Sequence, residues 1–126
     1  MINNDLIQSF WERALLAEPN DKFLISISEA KNILALVKSD IYNNIDLDFE
    51  PVKNKAEKLY NEFASLINDS WMKSKSKTPY TYKSFFSKYI KLDEDLLCLY
   101  MESNTSDSTI EELSESITLL NESFIK

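Results

Sequence analysis

The sequence contains no glycine, where average usage of about 7% would place about nine in a chain of this length. Glycine supplies positive φ and lets the backbone approach a ligand closely. The phosphate-cradling loop and the dinucleotide-binding turn are therefore excluded, and a calcium-binding EF-hand loses the residue its sharp turn requires. Tight hairpins lean on glycine as well, so a sheet-rich fold would need Asn at every reversal. An α-helical fold tolerates the omission best.

The apolar spacing points the same way. From Asp5 to Ala17, residues Leu6, Ile7, Phe10, Trp11, Ala14 and Leu15 follow the i, i+3, i+4 rule of one helix face, with Asn3 or Asn4 as cap and Pro19 as stop. Ser26 with Glu29 forms a capping-box signature ahead of Ile27, Ala30, Leu34, Val37 and Ile41. The sequence leaves open whether Lys22 to Ile25 joins that helix. The alternation Ile45-Asp46-Leu47-Asp48-Phe49-Glu50 fits a short strand or an acidic connector. Asp48 is expected to cap the next helix, with Pro51 in its first turn. That helix carries Phe49, Val52, Ala56, Leu59, Phe63 and Leu66, widened by Tyr60, Ile67 and Trp71, and is expected to run to about Met72.

A polar linker, Lys73 to Thr78, precedes Pro79, with Thr78 as the expected cap of an aromatic helix bearing Tyr82, Phe85, Phe86, Tyr89 and Ile90. Asp93 is expected to cap a separate short helix through Leu96, Leu97, Leu99, Tyr100 and Met101. Ser108 and Glu111 then open a last helix with Ile110, Leu113, Ile117, Leu120 and Phe124 in register. The expected architecture is all-α, a single-domain bundle over residues 1–126 of five to six mostly antiparallel helices. At 126 residues and 44% hydrophobic content, the chain should bury roughly two-thirds of its unfolded surface and needs no disulfide or metal to fold. Near-3.5-residue apolar spacing over about two to three heptads in each of three helices leaves a coiled-coil-like dimer seam as an alternative.

The chain also lacks histidine, which removes the usual neutral-pH base, the Ser-His and Cys-His nucleophile pairs and the commonest transition-metal ligand. Di-iron bundles need Glu-x-x-His and are excluded with it. Cys98, the single cysteine, sits in the apolar run Leu96 to Tyr100 and is expected to be a buried, inert side chain. No stretch approaches a membrane span and no signal-peptide pattern opens the chain, so a cytoplasmic protein is expected. Thirteen of fourteen basic residues are Lys, and with abundant Asn and Ile this suggests an AT-rich coding sequence of a bacterium or phage. No catalytic set, metal site or cofactor motif emerges, and an enzyme is not expected.

Charge is segregated along the chain beneath a net value of −7. Residues 73–91 carry Lys73, Lys75, Lys77, Lys83, Lys88 and Lys91 and no acid. Residues 92–125 carry Asp93, Glu94, Asp95, Glu102, Asp107, Glu111, Glu112, Glu115 and Glu122 and no base. Two readings of the acidic third stand: a carboxylate face that steers a basic partner, or a solvated face that maintains solubility. On the first, Asp93, Glu94, Asp95, Asp107, Glu111, Glu112, Glu115 and Glu122 are the contact candidates, with Tyr100 or Tyr80 as aromatic anchor. The Lys-rich segment interleaves aromatics as single-strand nucleic-acid platforms do. Most of these aromatics fall at core spacing and arginine is absent there, so the segment more simply packs beside the acidic helices and neutralises them.

In size, acidity and lack of a catalytic set, the chain is similar to the cytoplasmic immunity proteins that bacteria make against their own nuclease toxins. The resemblance is one of general character and rests on no motif. It implies an inhibitor whose carboxylates occupy the phosphate positions of a basic partner's substrate groove. The alternatives are a regulatory or structural helical module acting as a homodimer, and a single-strand nucleic-acid binder using Lys73 to Lys91.

Overall fold

The computed structural model describes residues 3–125 and contains five helices: α1 (Asn4–Leu16), α2 (Ile27–Asn43), α3 (Glu50–Lys73), α4 (Tyr82–Glu102) and α5 (Asp107–Phe124). The α1 cap is Asn3, whose side chain accepts from the Leu6 N–H. At α2 the capping box forms as the sequence suggests, with Ser26 Oγ and the Glu29 carboxylate each taking the other's backbone N–H at 3.1 Å. Glu29 also receives Arg13 at 2.9 Å, so one buried carboxylate joins the α1 end to the α2 start.

Four boundaries differ from the sequence reading, and each has a local cause. Asp48 caps nothing. Its N–H bonds its neighbour Asp46, and Phe49 occupies the α3 cap position without a side-chain bond, its ring half exposed. Thr78 and Pro79 stay outside α4 because residues 21–23 pair with the segment ahead of it. Phe23 N–H reaches Tyr80 O at 2.6 Å, Tyr82 N–H reaches Asp21 O at 3.0 Å, and Lys22 bridges Thr81. The helix therefore waits for a Thr81–Ser84 capping box. Lys22 to Ile25 is thus a tether outside α2, with Phe23 and Ile25 buried.

Asp93 begins no new helix. The stripe Tyr82, Phe86, Tyr89, Asp93, Leu96, Tyr100 keeps alternating three- and four-residue steps through it, and no Pro or Gly interrupts, so α4 is continuous. The α5 cap is Ser106, two residues before the expected Ser108, because the α4–α5 turn is tight. In that turn Asn104 has φ 57°, and the Thr105 N–H returns to Tyr100 O at 3.1 Å. This is a Schellman closure in which Asn takes the left-handed position glycine ordinarily fills.

Side-chain pairings show how the helices run. Lys55 at the start of α3 meets Glu102 at the end of α4, while Tyr80 just before α4 bonds Asp69 near the end of α3. Tyr82 and Phe86 at the start of α4 stack on Phe124 at the end of α5, at 5.9 and 4.5 Å between centroids. Adjacent helices α3, α4 and α5 are therefore antiparallel. The aromatic part of the core lies at this end of the bundle, where Phe23 stacks on Phe85 at 4.0 Å and meets Phe10 edge-on at 5.8 Å. Leu15 and Ile27 turn outward, because the α1 contact stripe is Ile7, Phe10 and Ala14 and that of α2 is Ala30, Ile33, Val37 and Ile41. Cys98 is exposed, on the side of α4 away from Leu96 and Tyr100, which corrects the expectation of a buried thiol.

Candidate functional site

Beyond the aromatic end of the core, α2 and α5 flank α4 without packing closely on each other. The gap between them is a half-open cavity of about 330 Å³ to which all five helices contribute. On α4, Tyr89, Asp93, Leu96 and Tyr100 fall at steps of four, three and four, which sets them on one face. Val37 and Asp40 come from α2 and Asn44 from its C-terminal cap, and Thr109, Glu112, Leu113 and Ser116 from α5. Trp11 of α1 and Phe63 of α3 complete the wall. The Trp11 ring lies 6.2 Å from Phe86 and 6.4 Å from Tyr89, so the core fixes its orientation.

Three carboxylates from three helices face this space, and among the described residues no Lys or Arg does. Asp40 and Glu112 stand exposed at the rim, whereas Asp93 is 5% exposed. No hydrogen bond or ion pair reaches the Asp93 side chain among the described residues. No buried side-chain N or O atom there is sealed from solvent without a partner, so the Asp93 oxygens keep their access through the cavity. Burial lifts the Asp93 carboxyl from 3.8 to about 7, with the nearby Asp40 charge adding to it. Desolvation also raises Asp40. Tyr89 is held well above its ordinary value by burial and then by Asp93 and Asp40. Burial pushes Tyr100 up to about 12, against a lowering contribution from Asn44.

The residues expected at a partner surface divide sharply. Glu94, Asp95, Asp107, Glu111, Glu112, Glu115 and Glu122 are exposed. On α5, Asp107, Glu111, Glu115 and Glu122 share the outward side, opposite Ile117, Leu120 and Phe124, whereas Glu112 turns toward the cavity. Asp93 is a correction: it lies on the buried stripe of α4 and offers no outward contact. Tyr100 is another, being 2% exposed with its hydroxyl donating to Asp40 O at 2.7 Å. Tyr80 is half-buried and its hydroxyl is taken by Asp69, so neither tyrosine is a free anchor.

The Lys-rich segment does not pair with these acids. Among the described residues the ion pairs are Arg13–Glu29 and Lys55–Glu102, so no lysine of 73–91 neutralises an acid of 92–125 at contact distance. Lys73 and Lys75 lie over the rings of Tyr80 and Trp71 at 5.2 and 5.3 Å instead. Tyr82, Phe85, Phe86 and Tyr89 are buried against one another, which leaves them no face on which a base could stack. No group of three or more His, Cys, Asp or Glu among the described residues is arranged to hold a metal ion. No helix of the described residues is long and apolar enough to cross a membrane. Comparison with protein-family models, curated proteins and solved structures returned no match to this chain.

The cavity was missed by sequence reasoning. The one signal available was an Asp at position 93 inside an otherwise unbroken apolar stripe.

Proposed function

We propose that this chain is a small acidic binding protein that neutralises a basic partner, such as a nuclease toxin, by covering its active or substrate-binding site. The observation that supports this reading is the outward side of α5, where Asp107, Glu111, Glu115 and Glu122 stand exposed and form no ion pair among the described residues. Asp95 of α4 is also exposed but lies on the α3 side among Lys55, Lys58, Lys88 and Lys91, so the single-sign surface is the outward side of α5. Charge of a single sign speeds encounter with an opposite surface and opposes wrong partners. Solubility alone calls for interspersed signs rather than such segregation. In the complex the carboxylates take the places of substrate phosphates, and contact requires no catalysis by this chain.

The test is capture from the native host with the tagged protein, washed at low and then moderate salt, beside a variant carrying Glu111→Lys and Glu115→Lys. A basic protein recovered in stoichiometric amount by the native chain and lost by the variant supports the reading, and inhibition of that protein's activity completes it. Equal recovery by both places the interface elsewhere. A second reading, self-association, is favoured by the exposed Leu15, Leu16 and Leu24 around the end of α1. A mass that rises with concentration in light scattering would select it.

A further inference from the structure

We infer that the cavity between α2 and α5 is a binding site for an organic cation, an alkylammonium or guanidinium group carried on a slim stem. Its size, about 330 Å³, lies at the lower end of small-ligand sites and suits one such group rather than a large ligand. Its walls combine the half-buried indole of Trp11, backed by the buried rings of Phe63 and Tyr89, with the carboxylates of Asp40, Asp93 and Glu112. Ring faces attract cations through their quadrupole, and carboxylates fix a donor's direction.

Asp93 decides the ligand's charge. It is nine-tenths buried, lacks any hydrogen-bond or ion-pair partner among the described residues, and opens on this space. A buried carboxylate is costly unless paired, and an apolar residue there would continue the α4 stripe at no such cost. The acids do not converge on one point as metal ligands would. A cation with several N–H donors spread over a planar fork or a rotating ammonium matches carboxylates that come from three separate helices. The titratable groups facing Asp93 are Asp40 from α2, Glu112 from α5, and Tyr89 and Tyr100 on its own helix. The wall residues of α1 and α3, Trp11 and Phe63, do not titrate. Every charge at the site is therefore negative. The inference stands apart from the partner reading, since a free small amine satisfies it as well as a side chain presented by a protein.

The experiment uses the full chain with Trp71→Phe, which leaves Trp11 as the only tryptophan. Its fluorescence is followed at low ionic strength against agmatine, N-acetylarginine amide and the uncharged isostere N-acetylcitrulline amide. Saturable binding of either cation with none of citrulline is expected. Agmatine in preference marks a free amine as the source, and the arginine amide in preference marks a side chain. Asp93→Asn should weaken binding by at least about tenfold, and Glu18→Gln, remote from the cavity, should leave it unchanged. Lowering the pH from about 8 to about 6 should weaken it by a similar factor as the carboxylates take up protons. Failure of both cations to saturate, equal binding of citrulline, or unchanged binding in Asp93→Asn overturns the inference. Should that variant not fold, the citrulline comparison on the unsubstituted side chain decides alone.

Discussion

Replacing Asp93 by Asn is expected to stabilise the protein at alkaline pH and to leave it nearly unchanged in acid. In the folded chain this carboxyl titrates at about 7, against 3.8 ordinarily. The folded state therefore holds a proton that the unfolded state has released through most of the interval between the two values. Stability falls as pH rises wherever the folded state binds more protons, so Asp93 contributes a loss between about pH 4 and pH 7 that is complete above 7. At about 1.4 kcal/mol per pH unit the ceiling is near 4 kcal/mol, and water entering through the cavity reduces it to about 2–4 kcal/mol. That is a sizeable part of the roughly 5–15 kcal/mol that holds a domain together. Asn keeps the shape and cannot ionise. Urea unfolding followed by helical circular dichroism, at pH steps from about 4 to 8, should show the variant's advantage growing from near zero to the full value. Comparing the two chains at each pH removes the contribution of the other acids. A difference that does not change with pH would refute the reasoning, because it would mean that Asp93 ionises as freely folded as unfolded.

Phe23→Ala should cost about 3–5 kcal/mol in the same unfolding assay, since this fully buried ring anchors the tether before α2 against Phe85 and Phe10. At Asn104, whose φ is 57°, Ala should destabilise by about 1–2 kcal/mol while Gly should be nearly neutral or better, as melting temperatures will show. The exposed Cys98 should react with a maleimide in the native protein as completely as in urea. Protection in the native state would contradict its placement on the outer side of α4. Arg13→Met should lower stability by no more than about 1 kcal/mol, because the guanidinium is half exposed and Glu29 keeps its capping bonds without it.

How far the sequence could be read depended on the range of the interaction that decides each feature. The Ser26–Glu29 capping box is decided within four residues and was legible. The start of α4 is decided by residues 21–23, nearly sixty positions away, and no local signal at Thr78 and Pro79 reports that pairing. Asp93 resembles a helix cap in sequence because Asp is a good one, yet its spacing from Tyr89 and Leu96 already places it on the buried stripe. Cys98 lies in a run of apolar residues whose periodicity is too full to distinguish the inner from the outer side. The outward acids of α5 follow directly from the position of Ile117, Leu120 and Phe124. The cavity does not, since its wall draws on all five helices from Trp11 to Ser116. Periodicity assigns a face to each helix and says nothing about which faces meet.

Asp93 carries the central claim, that the chain maintains a buried, unpaired carboxylate in order to receive a cation. The most direct measurement is a carbon-detected NMR titration of its side-chain carboxyl, with and without saturating N-acetylarginine amide or agmatine. The expected result is a midpoint near 7 for the free protein that falls by at least about one unit with cation bound, since a tenfold preference for the ionised form corresponds to one unit. A midpoint in the ordinary carboxylate range, or one that neither cation moves, would contradict the claim.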